Sequence, residues 1–227
     1  PLFVLVSLVP AWLRDNGVDL ATIGLFALVG LPYTWKFLWS PIMDRFKLPF
    51  LGRRRGWALL TQVLLLLSIG LLGHFNPSTS IQTIVWIVFD VALYSASQDI
   101  VIDAYRRELL ADDELGTGTS FWINAYRLSG LVPGSLALIL ADHLPWSTVF
   151  WISGDFMVIG IVTTLLFKEV SDDQLEPLTL RNAVIDPFVE FFSRDGIKAG
   201  LAILIFLFLY KLGDTMATAL ATPFYLD

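Results

Sequence analysis

The sequence contains no cysteine and only two histidines, His74 and His143. Without cysteine, disulfide frameworks and thiolate metal sites are excluded. The two histidines fall in separate predicted loops, so we do not predict a metal site between them. No basic tract is typical of a nucleic-acid-binding arm, and no nucleophile–base pair is visible. We therefore expect neither an enzyme nor a nucleic-acid partner, and no bound cofactor.

Charged residues are also scarce, at 16% of the chain, whereas 56% of the residues are hydrophobic. Ordinary soluble domains are about 45–50% apolar, and the mean hydropathy here is +0.68. The formal net charge of -6 carries little information because the charges are clustered between long apolar runs. This composition is typical of an integral membrane protein.

The apolar runs predict seven membrane spans. Residues 1–13 fall short of the roughly 20 apolar residues that a spanning helix needs. They also lack the charged start and cleavage site of a signal peptide, so we interpret them as the end of a truncated first helix in a longer polypeptide. The other predicted spans are residues 20–40, 57–73, 81–104, 119–141, 147–167 and 199–222. Because the runs lack the two-residue alternation of barrel strands, the predicted fold is all-α.

Lysine and arginine are distributed unevenly between the predicted loops. The loops after spans two, four and six carry eleven basic residues, and the alternate loops carry Arg14 alone. Basic loops remain in the cytoplasm, so these three loops are predicted to be cytoplasmic. The eleven residues are Arg45, Lys47, Arg53, Arg54, Arg55, Arg106, Arg107, Lys168, Arg181, Arg194 and Lys198.

The polar stretch before the seventh span predicts a division into three parts. Residues 1–167 form a transmembrane bundle of spans one to six, residues 168–198 a cytoplasmic linker, and residues 199–227 the start of a second bundle. Within the linker, Asp186 and Pro187 are a typical helix start. Phenylalanines at helical spacing follow and end at Gly196, which predicts a short amphipathic helix.

Acidic residues follow one face of the fourth span. Ser95, Asp99 and Asp103 recur every four residues, so their side chains share one side of a helix, with Arg106 close to the same line. Carboxylates in a bilayer usually face a protein interior or a water-filled path. A carboxylate withdrawn from water holds a proton more readily, so we predict a proton-coupling role for Asp99 and Asp103. The alternative, stronger for Asp103, is pairing with Arg106 or Arg107 among the headgroups.

The fifth span contains Arg127, with Asn124 one helical turn before it. Arginine stays charged in proteins and needs an anionic partner or water at that depth. We expect Arg127 either to pair with Asp99 or to bind an anionic group of a substrate. A purely structural ion pair is the alternative.

Three further charged residues lie in predicted spans. Lys211 and Asp214 are three residues apart on the seventh span and share a face. They either contact substrate or neutralise each other. Lys36 is near the end of the second span, where its long side chain can also extend to the membrane surface.

The loop between spans two and three has Ser40-Pro-Ile-Met-Asp44-Arg45 and then Gly52-Arg53-Arg54-Arg55-Gly56. This pattern resembles the loop signature of the major facilitator superfamily, Gly-x-x-x-Asp-Arg followed by Gly-Arg-Arg. Ser40 replaces the first glycine, and residues 46–51 lengthen the gap. The resemblance implies a cytoplasmic gating loop that joins two halves of a transporter through Asp44, Arg45 and residues 53–55. The alternative is that the arginines only set the topology.

Five blocks of sequence follow one another in a fixed order, at residues 36–45, 52–57, 95–104, 126–128 and 210–214. Together they resemble the AmpG-type anhydromuropeptide permeases of that superfamily. The resemblance implies a six-helix N-terminal bundle with its first helix truncated, then the linker and a seventh helix. It also implies proton-driven import of small anionic GlcNAc-anhydromuramyl peptides through the bacterial inner membrane for peptidoglycan recycling. The substrate-binding residues would be Arg127, Asn124, Gln98, Lys211, Asp214 and Lys36.

Two alternatives stay open from the sequence. Acetyl-coenzyme A transporters are similar around residues 98–103, so that block does not decide the substrate. A heptahelical receptor, a different functional class, also has seven spans, but the basic loop after span two disfavours it. Oligomeric state is not predicted.

Overall fold

The computed structural model describes residues 1–49, 51–169, 186, 189–194 and 196–210. The chain divides into two compact units, Pro1–Gln174 and Leu175–Asp227. In the described part of the first unit, the regular secondary structure is helical, and one isolated bridge joins Leu48 and Gly52. Its α-helices are α1 Val9–Asp15, α2 Leu20–Leu25, α3 Leu31–Trp35, α4 Ser40–Arg45, α5 Arg53–Leu72, α6 Pro77–Leu109, α7 Leu115–Ser129, α8 Ala137–Ala141 and α9 Trp146–Leu166.

Five segments of the described chain are long and apolar enough to cross a membrane. They are Leu20–Leu38, Arg53–Leu72, Pro77–Leu109, Leu115–Ala141 and Trp146–Leu166. These segments coincide with predicted spans two to six and confirm the all-α membrane fold. In the second unit, Ile197–Tyr210 is a shorter apolar helix at the start of the predicted seventh span. Lys211 and Asp214 lie outside the described residues, and the proposed three-part division of the chain stays a prediction.

Two spans are interrupted where proline falls inside them. In the second span, α2 passes into a 3₁₀ turn at Phe26–Gly30, and α3, with Pro32 in its first turn, ends in another at Lys36–Leu38. In the fifth span, a π-helical turn at Val132–Leu136 contains Pro133. Proline lacks the N–H group that a continuous helix needs and clashes with the preceding turn. Tyr33 lies in α3 and Lys36 begins the next 3₁₀ turn three residues later, so the two side chains share one side of the span.

The fourth span is longer than its apolar run. Asn76 caps α6 by accepting a hydrogen bond from the Ser78 N–H at 2.9 Å, and Ser80 is non-helical. The helix then continues to Leu109, five residues past the predicted end at residue 104. The prediction of a polar loop directly after residue 104 is therefore wrong. Arg106, Arg107 and Glu108 are good helix formers, so the helix continues beyond the apolar run and carries them in order.

Glycine allows α5 and α9 to approach closely. A Cβ atom at Gly70 would lie 2.5 Å from the Trp151 ring, and one at Gly154 would lie 3.1 Å from the Leu66 carbonyl oxygen. Small residues are typical of such contacts between membrane helices. Trp12 and Phe150, both fully buried, meet edge to face nearby, with ring centroids 5.0 Å apart. The close α5–α9 contact fixes which ends of these helices meet.

Candidate functional site

A polar face runs along α6 where it faces the second span. We use the name polar face for Ser95, Asp99 and Asp103 of α6 together with Tyr33 and Lys36 of the second span. The Tyr33 hydroxyl donates to the Ser95 Oγ atom at 2.6 Å. Lys36 Nζ lies 3.8 Å from Asp99 Oδ2, which is an ion pair without a direct hydrogen bond. The side chains of Lys36 and Asp99 are 35% and 41% exposed, so a ligand can reach both.

Lys36, not Arg127, is the partner of Asp99, so the predicted pairing of Arg127 with Asp99 is wrong. Arg127 is exposed on α7 and pairs with no carboxylate among the described residues. The Asn124 amide, also exposed, donates to the backbone carbonyl of Ser120 at 2.8 Å. The interrupted second span turns Lys36 toward α6, whereas α7 has no buried residue. Lys36 therefore does more than extend to the membrane surface.

Asp103 is paired within its own helix. Its Oδ1 atom accepts a hydrogen bond from Arg106 Nη2 at 3.2 Å. The Arg106 guanidinium lies 4.7 Å from the centre of the Trp122 ring, and Trp122 stacks on Tyr126 at 5.8 Å with 13° between the ring planes. This geometry matches the alternative in which Asp103 forms an ion pair with Arg106. It also joins the end of α6 to α7.

Gln98 faces away from the polar face. It is 92% buried and lines a cavity of about 260 Å³ between α5, α6 and α9. Gln62 and Tyr105 line the same cavity. The Gln98 Oε1 atom has no hydrogen-bond partner among the described residues. Gln98 is therefore not grouped with Lys36 and Asp99, although it is adjacent to Asp99 in sequence, because neighbouring residues point about 100° apart on a helix.

An arginine cluster joins three helices at the opposite end of α6 from its cap. Arg54 Nε donates to both Glu108 oxygens, at 3.1 and 3.2 Å, and Arg54 Nη1 donates to Asp44 at 2.5 Å. Arg53 Nη2 donates to the same Glu108 at 3.0 Å. Both arginines are buried. We name Asp44, Arg53, Arg54 and Glu108 the arginine cluster.

The other predicted loop residues have different surroundings. Arg45 is exposed, with its guanidinium 5.8 Å from the centre of the Phe46 ring, outside the arginine cluster. Arg55 reaches the end of α9, where its Nε and Nη2 atoms donate to the carbonyl oxygens of Thr164 and Leu165 at 2.8 and 2.9 Å. These carbonyls belong to the last turn of a helix, which lacks intrahelical donors. A cation there also stabilises the helix dipole.

Glu169 provides the reciprocal contact from beyond α9 to the start of α5. Its Oε1 and Oε2 atoms accept from the backbone N–H groups of Arg54 and Arg55 at 2.7 and 3.0 Å. Gly52 allows this approach, because a Cβ atom there would lie 2.8 Å from the Glu169 side chain. Gly52 also has a φ of 87°, a conformation that favours glycine. Glu169, which follows α9, thus caps the start of α5, and Arg55 of α5 caps the end of α9.

Replacing Glu169 by alanine is expected to lower the free energy of unfolding by about 0.5–2 kcal/mol, the usual range for a helix N-cap. Two N–H groups of α5 would lose their acceptor. Thermal unfolding of the protein in nanodiscs measures the change. Lys168→Ala is the matched control, because the Lys168 side chain is exposed and its carbonyl, which accepts from Tyr105, is retained. Equal melting temperatures for the two variants would contradict the capping role.

Sequence reasoning missed several residues of these clusters. The sequence predicts a loop at Glu108, although a carboxylate directly after two arginines is a signal for a charged helix end. Glu169 is the first acidic residue after the sixth span, but its partner is over 100 residues away in sequence. Tyr33 lies one turn before Lys36, and Trp122 one turn before Tyr126. That spacing could have indicated a shared face in each case.

These features occur in a chain whose residues 2–227 match the Major Facilitator Superfamily. The chain therefore belongs to this superfamily, which agrees with the loop signature at residues 40–56 and with the multi-pass helical fold. Membership also disfavours the seven-helix receptor.

Within the superfamily, the chain is similar to proteins named as permeases and transporters. It is 43% identical to the "Anhydromuropeptide permease" of Escherichia coli K12, over 99% of this chain and 45% of that protein. It is 48% identical to an "Uncharacterized protein" of Haemophilus influenzae, over 100% of this chain and 54% of that protein. It is 32% identical to "Putative transporter AmpG 4" of Rickettsia felis, over 100% of this chain and 56% of that protein. The chain spans about half the length of the curated relatives it matches.

Proposed function

We propose that the complete gene product is a secondary transporter that imports GlcNAc-anhydromuramyl peptides with protons. The observation that carries this proposal is the 43% identity to the anhydromuropeptide permease of Escherichia coli across 99% of this chain. The open Lys36–Asp99 pair supports it, because it supplies a cation for an anionic substrate and a carboxylate for a proton. The physiological role would be recovery of cell-wall fragments for peptidoglycan recycling.

The proposed mechanism is alternating access, in which two bundles rock about a site near the membrane midplane. A substrate carboxylate that binds Lys36 displaces Asp99, since both anions compete for one ammonium group. The released Asp99 carboxyl then takes a proton, so the site keeps its net charge in a medium of low dielectric. Asp103 would be the second proton-coupling carboxylate. The energy of the proton gradient is thereby linked to substrate binding.

Residues of the fifth and seventh spans would complete the site. Arg127 and Asn124 are exposed on α7, where substrate groups can reach them. Lys211 and Asp214 are proposed contacts from the sequence resemblance alone. Gln98 faces the cavity between α5, α6 and α9, so its proposed contribution is to shape the span that carries Asp99.

We place the protein in the bacterial inner membrane with the arginine cluster on the cytoplasmic side. The excess of lysine and arginine in the loops after spans two, four and six supports this orientation. In this arrangement, Asp44, Arg45 and residues 53–55 form the cytoplasmic gating loop. The charged contacts between α4, α5, α6 and α9 would hold the first bundle together as it rocks.

Uptake of radiolabelled GlcNAc-anhydromuramyl tripeptide into inner-membrane vesicles tests the proposed function. Vesicles that contain the complete gene product are expected to accumulate the tripeptide, to lose accumulation on addition of a protonophore, and to be insensitive to acetyl-coenzyme A. Vesicles without the protein are the control. Uptake of acetyl-coenzyme A without uptake of the muropeptide would contradict the proposal and favour the related acetyl-coenzyme A carriers.

A further inference from the structure

Arg106 has a hydrogen-bond donor without an acceptor. Its Nη1 atom is buried and meets no acceptor among the described residues, while Nη2 donates to Asp103. A buried donor without an acceptor costs about 1–3 kcal/mol, and more when the group is charged. A guanidinium presents its donors as a planar fork that fits the two oxygens of a carboxylate. Of the two Arg106 Nη atoms, Nη2 has an acceptor among the described residues and Nη1 has none.

Trp122 fixes the orientation of this guanidinium. The cation lies 4.7 Å from the centre of the Trp122 ring, which stacks on Tyr126, which in turn contacts Phe3 at 5.1 Å. A cation over an aromatic face is held by the charge distribution of the ring. Because three aromatic rings from α7 and the first span support it in a row, Arg106 stays in place when its carboxylate partner leaves.

Two carboxylates of α6, one helical turn apart, each form an ion pair. Asp99 pairs with Lys36, and Asp103 pairs with Arg106. Four residues of α-helix correspond to about 6 Å at 1.5 Å per residue. The side chain of Asp103 is 43% exposed and that of Arg106 is 24% exposed, so Asp103 can move toward solvent while Arg106 remains. Two carboxylates on one face of α6 thus each pair with a cation, and both are exposed enough to be displaced.

We propose that Arg106, positioned by Trp122, is a second carboxylate-binding group of the transport site. It strengthens the binding of substrates that carry a second carboxylate in addition to the one that binds Lys36. This inference rests on the proposed function. An incoming carboxylate replaces Asp103 and accepts hydrogen bonds from both Nη atoms, so the vacant donor is satisfied only in the substrate complex. Trp122 is a positioning residue and does not itself bind the carboxylate.

The test compares two forms of one substrate in vesicles that contain the complete gene product. One is GlcNAc-anhydromuramyl tripeptide, and the other is the same molecule with all but one of its peptide carboxylates amidated, which leaves one carboxylate for Lys36. Trp122→Leu is expected to raise the KM for the acid form about 3- to 30-fold, the range that a lost cation–π contact implies. The KM for the amide form and both kcat values should change little. Trp122→Phe keeps an aromatic face and should fall between wild type and Trp122→Leu.

Trp86→Leu is the matched control, because Trp86 is 61% exposed on α6 and contacts only Phe89 among the aromatic residues described. If Trp122→Leu fails to fold, Trp122→Phe and Arg106→Lys provide the same comparison. If these variants have the same ratio of acid-form KM to amide-form KM as the wild type, the inference is overturned, and the proposed function is not affected. If the wild-type protein takes up neither form, the proposed function fails, and this inference fails with it.

Discussion

Asp99→Asn is expected to reduce proton-driven uptake of the muropeptide to the level of vesicles without the protein, while exchange of internal for external substrate persists. Asparagine is neutral at every pH and therefore mimics protonated Asp99. A carrier fixed in that state can still bind substrate and rock, but it cannot release a proton to complete a net cycle. Uptake driven by an imposed pH gradient and exchange without a gradient are measured in the same vesicles.

The separation of these two activities identifies the proton carrier. Asp142→Asn is the control, because Asp142 is exposed beyond the end of α8. Lys36→Gln is expected to weaken both activities, since it removes the cation that the substrate carboxylate needs. Full uptake by Asp99→Asn would exclude Asp99 from coupling. Loss of exchange together with loss of uptake would indicate that Asp99 binds substrate or maintains the fold.

Arg54→Leu is expected to lower the free energy of unfolding by about 3–5 kcal/mol, the range for removing one partner of a buried ion pair. Arg54 is buried and donates to Glu108 and Asp44 from two other helices. Without Arg54, Arg53 is the one arginine of the cluster left for two carboxylates, so Asp44 loses its ion pair while Glu108 keeps Arg53. Denaturation of the protein in nanodiscs gives the change in free energy.

A second substitution distinguishes two causes of the stability loss: the lost ion pair of Arg54, and the cost of leaving its carboxylate partner unpaired. Arg54→Leu combined with Asp44→Leu is expected to recover part of the stability, because it also removes the carboxylate that loses Arg54 and keeps the Arg53–Glu108 pair intact. Arg45→Leu is the control, because Arg45 belongs to the same loop but is exposed. A stability loss as large for Arg45→Leu as for Arg54→Leu would show that the arginine cluster has no special role.

The clusters differ in how far the sequence predicts them. The sequence predicts the shared face of Asp99 and Asp103 because α-helical spacing is a local property, and the structure places both on one face as expected. It also indicates Asp44 and Arg54, because the loop signature is short and contiguous. Glu108 and Glu169 also contact Arg54, but they lie 54 and 115 residues away from it in sequence. No local pattern specifies a partner at that distance.

The sequence by itself determined the membrane class, the helical fold, the positions of spans two to six and the superfamily. Hydrophobicity and short motifs are properties of neighbouring residues, so they can be interpreted without knowing how the chain packs. Only the tertiary structure decided that Asp99 meets Lys36 rather than Arg127, that Gln98 faces α5 and α9, and that Glu169 caps α5. The reason is that these contacts depend on where proline interrupts a span and on how closely α5 and α9 approach at their glycines.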